Sequence, residues 1–195
     1  MIKRKVLLIC LACGIAAGCD RSGDAAAENA AVTGNDAAAQ KAAQASGTIG
    51  DALTGSAENS AFAQALQSTG LVETLKGAGP YTVFAPTNAA FDALPADARS
   101  SLNAPERRER LVSLLSFHIV PGTVTAADLG RAVDRGEGGR AEIATVTGDN
   151  LSVSREGDAL VVRDAAGGQA RITGAEQIRS NGVIHNIDAV LMPGS

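Results

Sequence analysis

The chain has 195 residues, with 21 acidic side chains against 17 basic ones and a formal charge of −4. A surplus of this sign does not suit nucleic acid or an anionic lipid surface as a partner. With no Trp, one Tyr and four Phe, the chain is also poorly equipped for sugar recognition by stacking on exposed aromatic rings.

The N-terminus reads as a targeting segment. Lys3, Arg4 and Lys5 precede a nearly uncharged apolar run, residues 6–17, which is too short to span a bilayer, where a helix needs about 20 residues. Ala16-Ala17-Gly18 then places small residues before Cys19. This run resembles a bacterial lipoprotein signal, although Ala16 stands where such signals usually carry Leu. The resemblance implies removal of residues 1–18 and lipidation of Cys19, with attachment at about 0.8 kcal/mol per buried CH₂ of lipid. An ordinary secretory peptide with Cys19 left as a free thiol is the alternative. A lone exposed thiol in an oxidising compartment weighs against it. Cys10 and Cys13 form a C-x-x-C inside the removed segment, so they offer the mature chain no metal or redox site. The mature chain keeps one cysteine and has no internal disulfide. Cleavage would remove three of the 17 basic residues and none of the 21 acids, giving −7.

Residues 20–47 are low in complexity, with Ala, Asp, Asn, Gln, Ser and Gly dominant and no aromatic residue. Such a segment buries too little to offset its ordering entropy. It reads as a tether spanning roughly 30 Å as a flexible coil. Residues 48–195 are long enough for one domain with a real core.

The first part of that domain reads helical. Thr48 caps a helix beginning at Ile49, and Ser60 caps one with Phe62, Ala65 and Leu66 on one face, stopped near Gly70. Residues 71–76 follow, closed by Gly77, Gly79 and Pro80. Residues 81–85 are strand-like. Thr87 caps residues 88–94, which Pro95 ends. Pro105 leads into residues 106–116, with Leu111, Leu114 and Leu115 on one side. The second part reads β: strands at 117–120, 141–147, 151–154, 160–163, 170–173 and 183–191, with a short helix capped by Thr125. Gly148-Asp149-Asn150, Glu156-Gly157-Asp158 and Gly167-Gly168 mark turns between them. The expectation is an α+β domain, with a helical first half packed on a compact antiparallel sheet or sandwich.

Three segments carry a resemblance. They are Thr82-Val83-Phe84-Ala85-Pro86-Thr87-Asn88-Ala89-Ala90-Phe91, then Phe117-His118-Ile119-Val120-Pro121-Gly122, then Asn181-Gly182-Val183-Ile184-His185-Asn186-Ile187. Their order is similar to that of the fasciclin domain family, here as one unit without an internal repeat. The resemblance implies a fasciclin-like fold and a role in adhesion or protein–protein contact, with Thr87, Asn88, Phe117, His118, Asn181 and His185 as structural or binding positions. In the family the Phe117 position belongs to a Tyr-His pair discussed as an adhesion contact; Phe117 lacks the hydroxyl. The family's place for Asn186 is usually aliphatic. Some animal members bind integrins through an Asp-Ile pair, and Gln177-Ile178 stands there, so integrin binding is not carried over.

Both histidines read as buried neutral imidazoles bonded to backbone or a polar neighbour. The other reading makes either one a ligand or general base. The sequence holds no G-x-S-x-G, Walker loop, H-E-x-x-H or G-x-G-x-x-G. No catalytic, metal or cofactor set is expected. The reading is an envelope-anchored, non-catalytic adhesion or protein-interaction module facing the periplasm or exterior. Its partner is a protein of the envelope or exterior, or a glycan, with the membrane reached through the lipid and no nucleic acid. The alternatives are an envelope hydrolase using His118 or His185, and a glycan or small-ligand binder.

Overall fold

The computed structural model describes residues 46–94 and 108–194. The signal segment 1–18, Cys10, Cys13, the Cys19 lipidation site, nearly all of the tether, Pro95, Pro105 and the start of the helix expected at 106 lie outside the described residues. Ser46 and Gly47, read as tether, are tied to the fold: Ser180 donates to the Gly47 carbonyl from its backbone N–H at 3.1 Å and its hydroxyl at 2.9 Å.

Helix α1 (Ile49–Gly55) begins with a capping box in which the Thr48 hydroxyl accepts from the Asp51 N–H and the Asp51 carboxylate accepts from Thr48. Helix α2 (Ser60–Thr69) is preceded by Asn59 rather than capped by Ser60. The Asn59 amide is drawn instead to the Ala85 and Pro86 carbonyls. Helix α3 (Leu71–Lys76) follows directly, separated only by Gly70, whose φ of 82° reverses the chain. Strand β1 (Tyr81–Pro86) leads into α4 (Asn88–Asp92), where the Thr87 hydroxyl accepts from the Ala90 N–H. Helix α5 (Arg108–Phe117) buries Leu111, Leu114 and Leu115 as its periodicity predicts.

The expected strand at 117–120 is corrected. Phe117 closes α5, His118 sits in the turn after it, and β2 is only Ile119–Pro121. An unbroken apolar run fits helix and strand equally well, and the His118 N–H bond to the Leu115 carbonyl resolves it as a last helical turn. Helix α6 (Ala126–Arg135) starts with a second capping box, Thr125 with Asp128. The remaining strands are β3 (Arg140–Ala144), β4 (Asn150–Glu156), β5 (Ala159–Arg163), β6 (Gln169–Arg179) and β7 (Gly182–Ile187).

The seven strands form one sheet in the order β2-β1-β7-β6-β5-β4-β3. The sheet is mixed, not antiparallel throughout as expected, because β1 and β7 run parallel with Tyr81 opposite Gly182 and Pro86 opposite Ile187. Parallel neighbours are normally buried on both faces, and β7 is buried at all six residues. Val83, Ala85 and Ile184 face a core built with Phe62, Leu66, Leu75 and Leu115 from the helices. Phe84 and Ile187 face a second core with Phe117, Leu129, Leu151, Val153 and Val162. Fully burying one such side chain stabilises by about 1.5–3 kcal/mol. The two edge strands approach one another, as the Val146 N–H donates to the Ile119 carbonyl at 2.9 Å.

Candidate functional site

All six motif positions singled out in the sequence are turned inward or spent on internal bonds, and two of them, Thr87 and Asn88, also line a cleft. Asn181 is not only a turn residue. Its Oδ1 accepts from the Ile49 N–H at 2.8 Å, and its Nδ2 donates to the carbonyls of Leu75 at 2.7 Å and Gly77 at 2.8 Å. It therefore pins α1 and α3 to the start of β7. Gly182 beside it must be glycine: at φ 148° a Cβ would lie 1.8 Å from the Tyr81 carbonyl oxygen, so the parallel strand could not come this close. Asn88 likewise accepts from the Ala61 N–H and the Ser60 hydroxyl and donates to the Ala57 carbonyl. This side chain, 28 residues away in sequence from Ser60, does the work expected of a local cap.

His118 is fully buried. Nδ1–H donates to the Leu114 carbonyl at 2.8 Å, and Nε2 accepts from the Leu191 N–H at 3.1 Å. The two bonds fix one neutral tautomer. Burial pushes the imidazole down to about 4, against smaller upward pulls from the Leu114 carbonyl and the Asp164 carboxylate. Asp164 secures the next residue of the tail by accepting from the Met192 N–H at 2.8 Å. His185 donates from Nε2 to the Val124 carbonyl at 2.8 Å and stacks on Phe84 with centroids 5.6 Å apart. Burial holds its pKa below the usual value too. Phe117 is fully buried.

Thr87 has a different surrounding. With Asn88 it lines an open cleft of about 480 Å³ whose other walls are Glu58, Ala89, Thr173, Gly174 and Asn186. The cleft exists because β6 is bulged. Thr173 pairs with Asn186 and Gln177 with Ile184, so the segment between them loops away from β7 around Gly174 at φ 70°. Asn186 is 8% exposed and forms part of the cleft wall. Its Nδ2 donates to Glu58 Oε2 at 3.4 Å, while its buried Oδ1 accepts no hydrogen bond. Among the described residues no Lys or Arg pairs with Glu58, and no group of His, Cys, Asp and Glu could hold a metal ion.

Comparison with known proteins fits this architecture. The family model of the fasciclin domain matches residues 57–193. The chain belongs to the fasciclin family. It is 38% identical over 154 residues to Protein sll1483 of Synechocystis sp., covering 79% of this chain and 78% of that protein. It is 36% identical over 149 residues to the transforming growth factor-beta-induced protein ig-h3 of Sus scrofa, covering 75% of this chain but only 19% of that one. A cell surface glycolipoprotein of Mycobacterium bovis, MPB83, is 35% identical over 123 residues, covering 63% of this chain and 48% of that protein. Among solved structures, a FAS1 domain pair from the insect cell adhesion molecule Fasciclin I matches with a TM-score of 0.65 at 19% identity, over 75% of this chain and 51% of the other.

Within this fasciclin domain, Gln177 is engaged locally, its Oε1 accepting from Arg179 at 2.7 Å. Glu58, Thr173 and Gly174 were not singled out from sequence. Asn186 was noted only as a polar residue in an aliphatic place. That oddity was the one available signal, since Glu58 and Asn186 are separated by 128 residues. No helix among the described residues is long and apolar enough to cross a membrane.

Proposed function

We propose that this fasciclin domain is a non-catalytic adhesion or protein-interaction module, held at the bacterial envelope by a lipid on Cys19. The observation that carries the non-catalytic part is the state of the two histidines. Both are buried: the lone-pair nitrogen of His118 already accepts from the Leu191 N–H, and that of His185, Nδ1, is enclosed where no substrate proton reaches it. This weighs against the hydrolase alternative. The anchoring part rests on the run before Cys19 and on the surface location stated in the name of the M. bovis relative. A glycan as partner is disfavoured by the cleft, whose walls carry no aromatic ring.

Substitution Cys19→Ser tests the anchor. The protein should leave the membrane fraction or remain unprocessed. Normal processing with unchanged membrane fractionation would show that Cys19 is not the attachment point.

A further inference from the structure

The geometry points to the Glu58–Asn186 cleft as a binding site for an arginine side chain displayed by an extended segment of a protein partner. This deepens the interaction-module reading and rests on it. The first observation is the chemistry of the walls. Glu58 brings a carboxylate with acceptor capacity to spare and no cation partner among the described residues. Thr173 already donates its hydroxyl proton to the Asn186 carbonyl at 3.4 Å, so what it offers a ligand is lone pairs. The second observation is the orphaned Oδ1 of Asn186, a buried acceptor without a donor on a side chain more than nine-tenths buried. A native fold rarely leaves such an atom unpaired.

The amide orientation is dictated by Glu58. Turning Asn186 over would set Oδ1 against the carboxylate oxygen. Glu58 and Asn186 therefore face each other with acceptors to spare and one weak donor between them, Nδ2, held at 3.4 Å. A guanidinium supplies what is missing. Its planar fork pairs with the Glu58 carboxylate in two parallel bonds, and a further N–H is left for Asn186. A guanidinium seated against Glu58 removes that repulsion, so the amide can turn about its last torsion, which is soft, and present Oδ1 to the remaining N–H. The small side chains at Ala89 and Gly174 leave the cleft open for the partner's backbone on either side. An ammonium fits less well, because a point charge cannot span both acceptors.

The experiment titrates the full-length chain with the peptide acetyl-Gly-Gly-Arg-Gly-Gly-amide and follows the side-chain amide NMR signals of Asn186, Asn88 and Asn181. The matched Lys and Glu peptides and an N-acetylglucosamine oligomer serve as competing ligands. The arginine peptide should shift Asn186 and Asn88 and leave Asn181 still. Affinity should fall as salt rises. Glu58→Gln, an exposed change that leaves the fold intact, should weaken binding about tenfold. Asn186→Leu should weaken it as well, with melting measured alongside to confirm folding. No shift with arginine, equal binding of the Lys peptide, or a response to the sugar alone would overturn the proposal. In parallel, the full-length protein and Glu58→Gln are used to capture a partner from envelope extracts. Capture by both equally overturns the cleft but leaves the interaction module standing, and failure of the unsubstituted protein to capture any partner removes the module itself.

Discussion

Asn181, in the turn just before β7, and Asn186, near the far end of that strand, stand five residues apart, and the fold treats them differently. Asn181 makes three side-chain hydrogen bonds of 2.7–2.8 Å, reaching helices more than 100 residues away in sequence. Asn186 makes one at 3.4 Å and leaves an acceptor buried and unpaired. The residue type is the same; the surroundings differ. At Asn181 the strand end meets helix carbonyls and an amide that have no other partners. At Asn186 the β6 bulge has drawn the neighbouring strand away. One amide is fully committed to folding, while the other retains capacity for binding.

The sharpest way to break that contrast is Asn181→Ala. It orphans the Ile49 N–H and the Leu75 and Gly77 carbonyls where the helical half meets β7. We expect a loss on the order of 3 kcal/mol, since each buried orphan costs about 1–3 kcal/mol and part of this site is open to water. Urea unfolding monitored by circular dichroism measures it. A change below about 0.5 kcal/mol would mean that the seam is held by apolar packing and that the two asparagines do not differ in the way described.

The His118 seam is next in size, and it has a pH signature. The folded pKa of about 4 lies below the ordinary 6.5, so the unfolded chain takes up a proton first as pH falls. Stability is therefore complete above about pH 6.5 and is lost as pH drops towards 4, at up to about 1.4 kcal/mol per pH unit. Between pH 6.5 and pH 5 this amounts to about 2 kcal/mol. His185 adds in the same direction. Unfolding curves at pH 7 and pH 5, for the parent and for His118→Gln, isolate the contribution by difference. The same pH dependence in both proteins would show that His118 does not carry it.

Local signals were legible in the sequence and distant ones were not. Thr48 and Thr125 announce their helices because a capping box lies within four residues, and the structure has both. Leu111, Leu114 and Leu115 mark one helix face by spacing alone. The parallel pairing of β1 with β7 has no local mark, since it joins residues about 100 apart and the strands alternate no differently for it. Strand β6 runs to Arg179, beyond the expected end at 173, because Gly174 serves as a bulge inside the strand and does not end it. The cleft inherits all of these gaps. Its walls come from the loop before α2, the start of α4, the bulge and the last turn of β7, and only Asn186 looked out of place beforehand.

The smallest expected effect is the most discriminating. Asn186→Leu places at this position the aliphatic residue that the family resemblance leads us to expect. If Asn186 served the fold, its loss would cost the 1–3 kcal/mol of a broken buried hydrogen bond. The structure argues otherwise. The bond to Glu58 is long and its partner exposed, whereas the unpaired Oδ1 already carries a desolvation cost that a leucine would remove. Leucine also has nearly the shape of asparagine with the amide replaced by methyls, so it need not overpack the site beside Ala85. The expected change in unfolding free energy is between zero and about 1 kcal/mol of stabilisation. Measured beside Asn181→Ala under one set of conditions, the two substitutions should fall on opposite sides of the parent. A destabilisation of Asn186→Leu comparable to that of Asn181→Ala would return Asn186 to the fold, and the cleft would lose the unpaired acceptor on which its proposed chemistry depends.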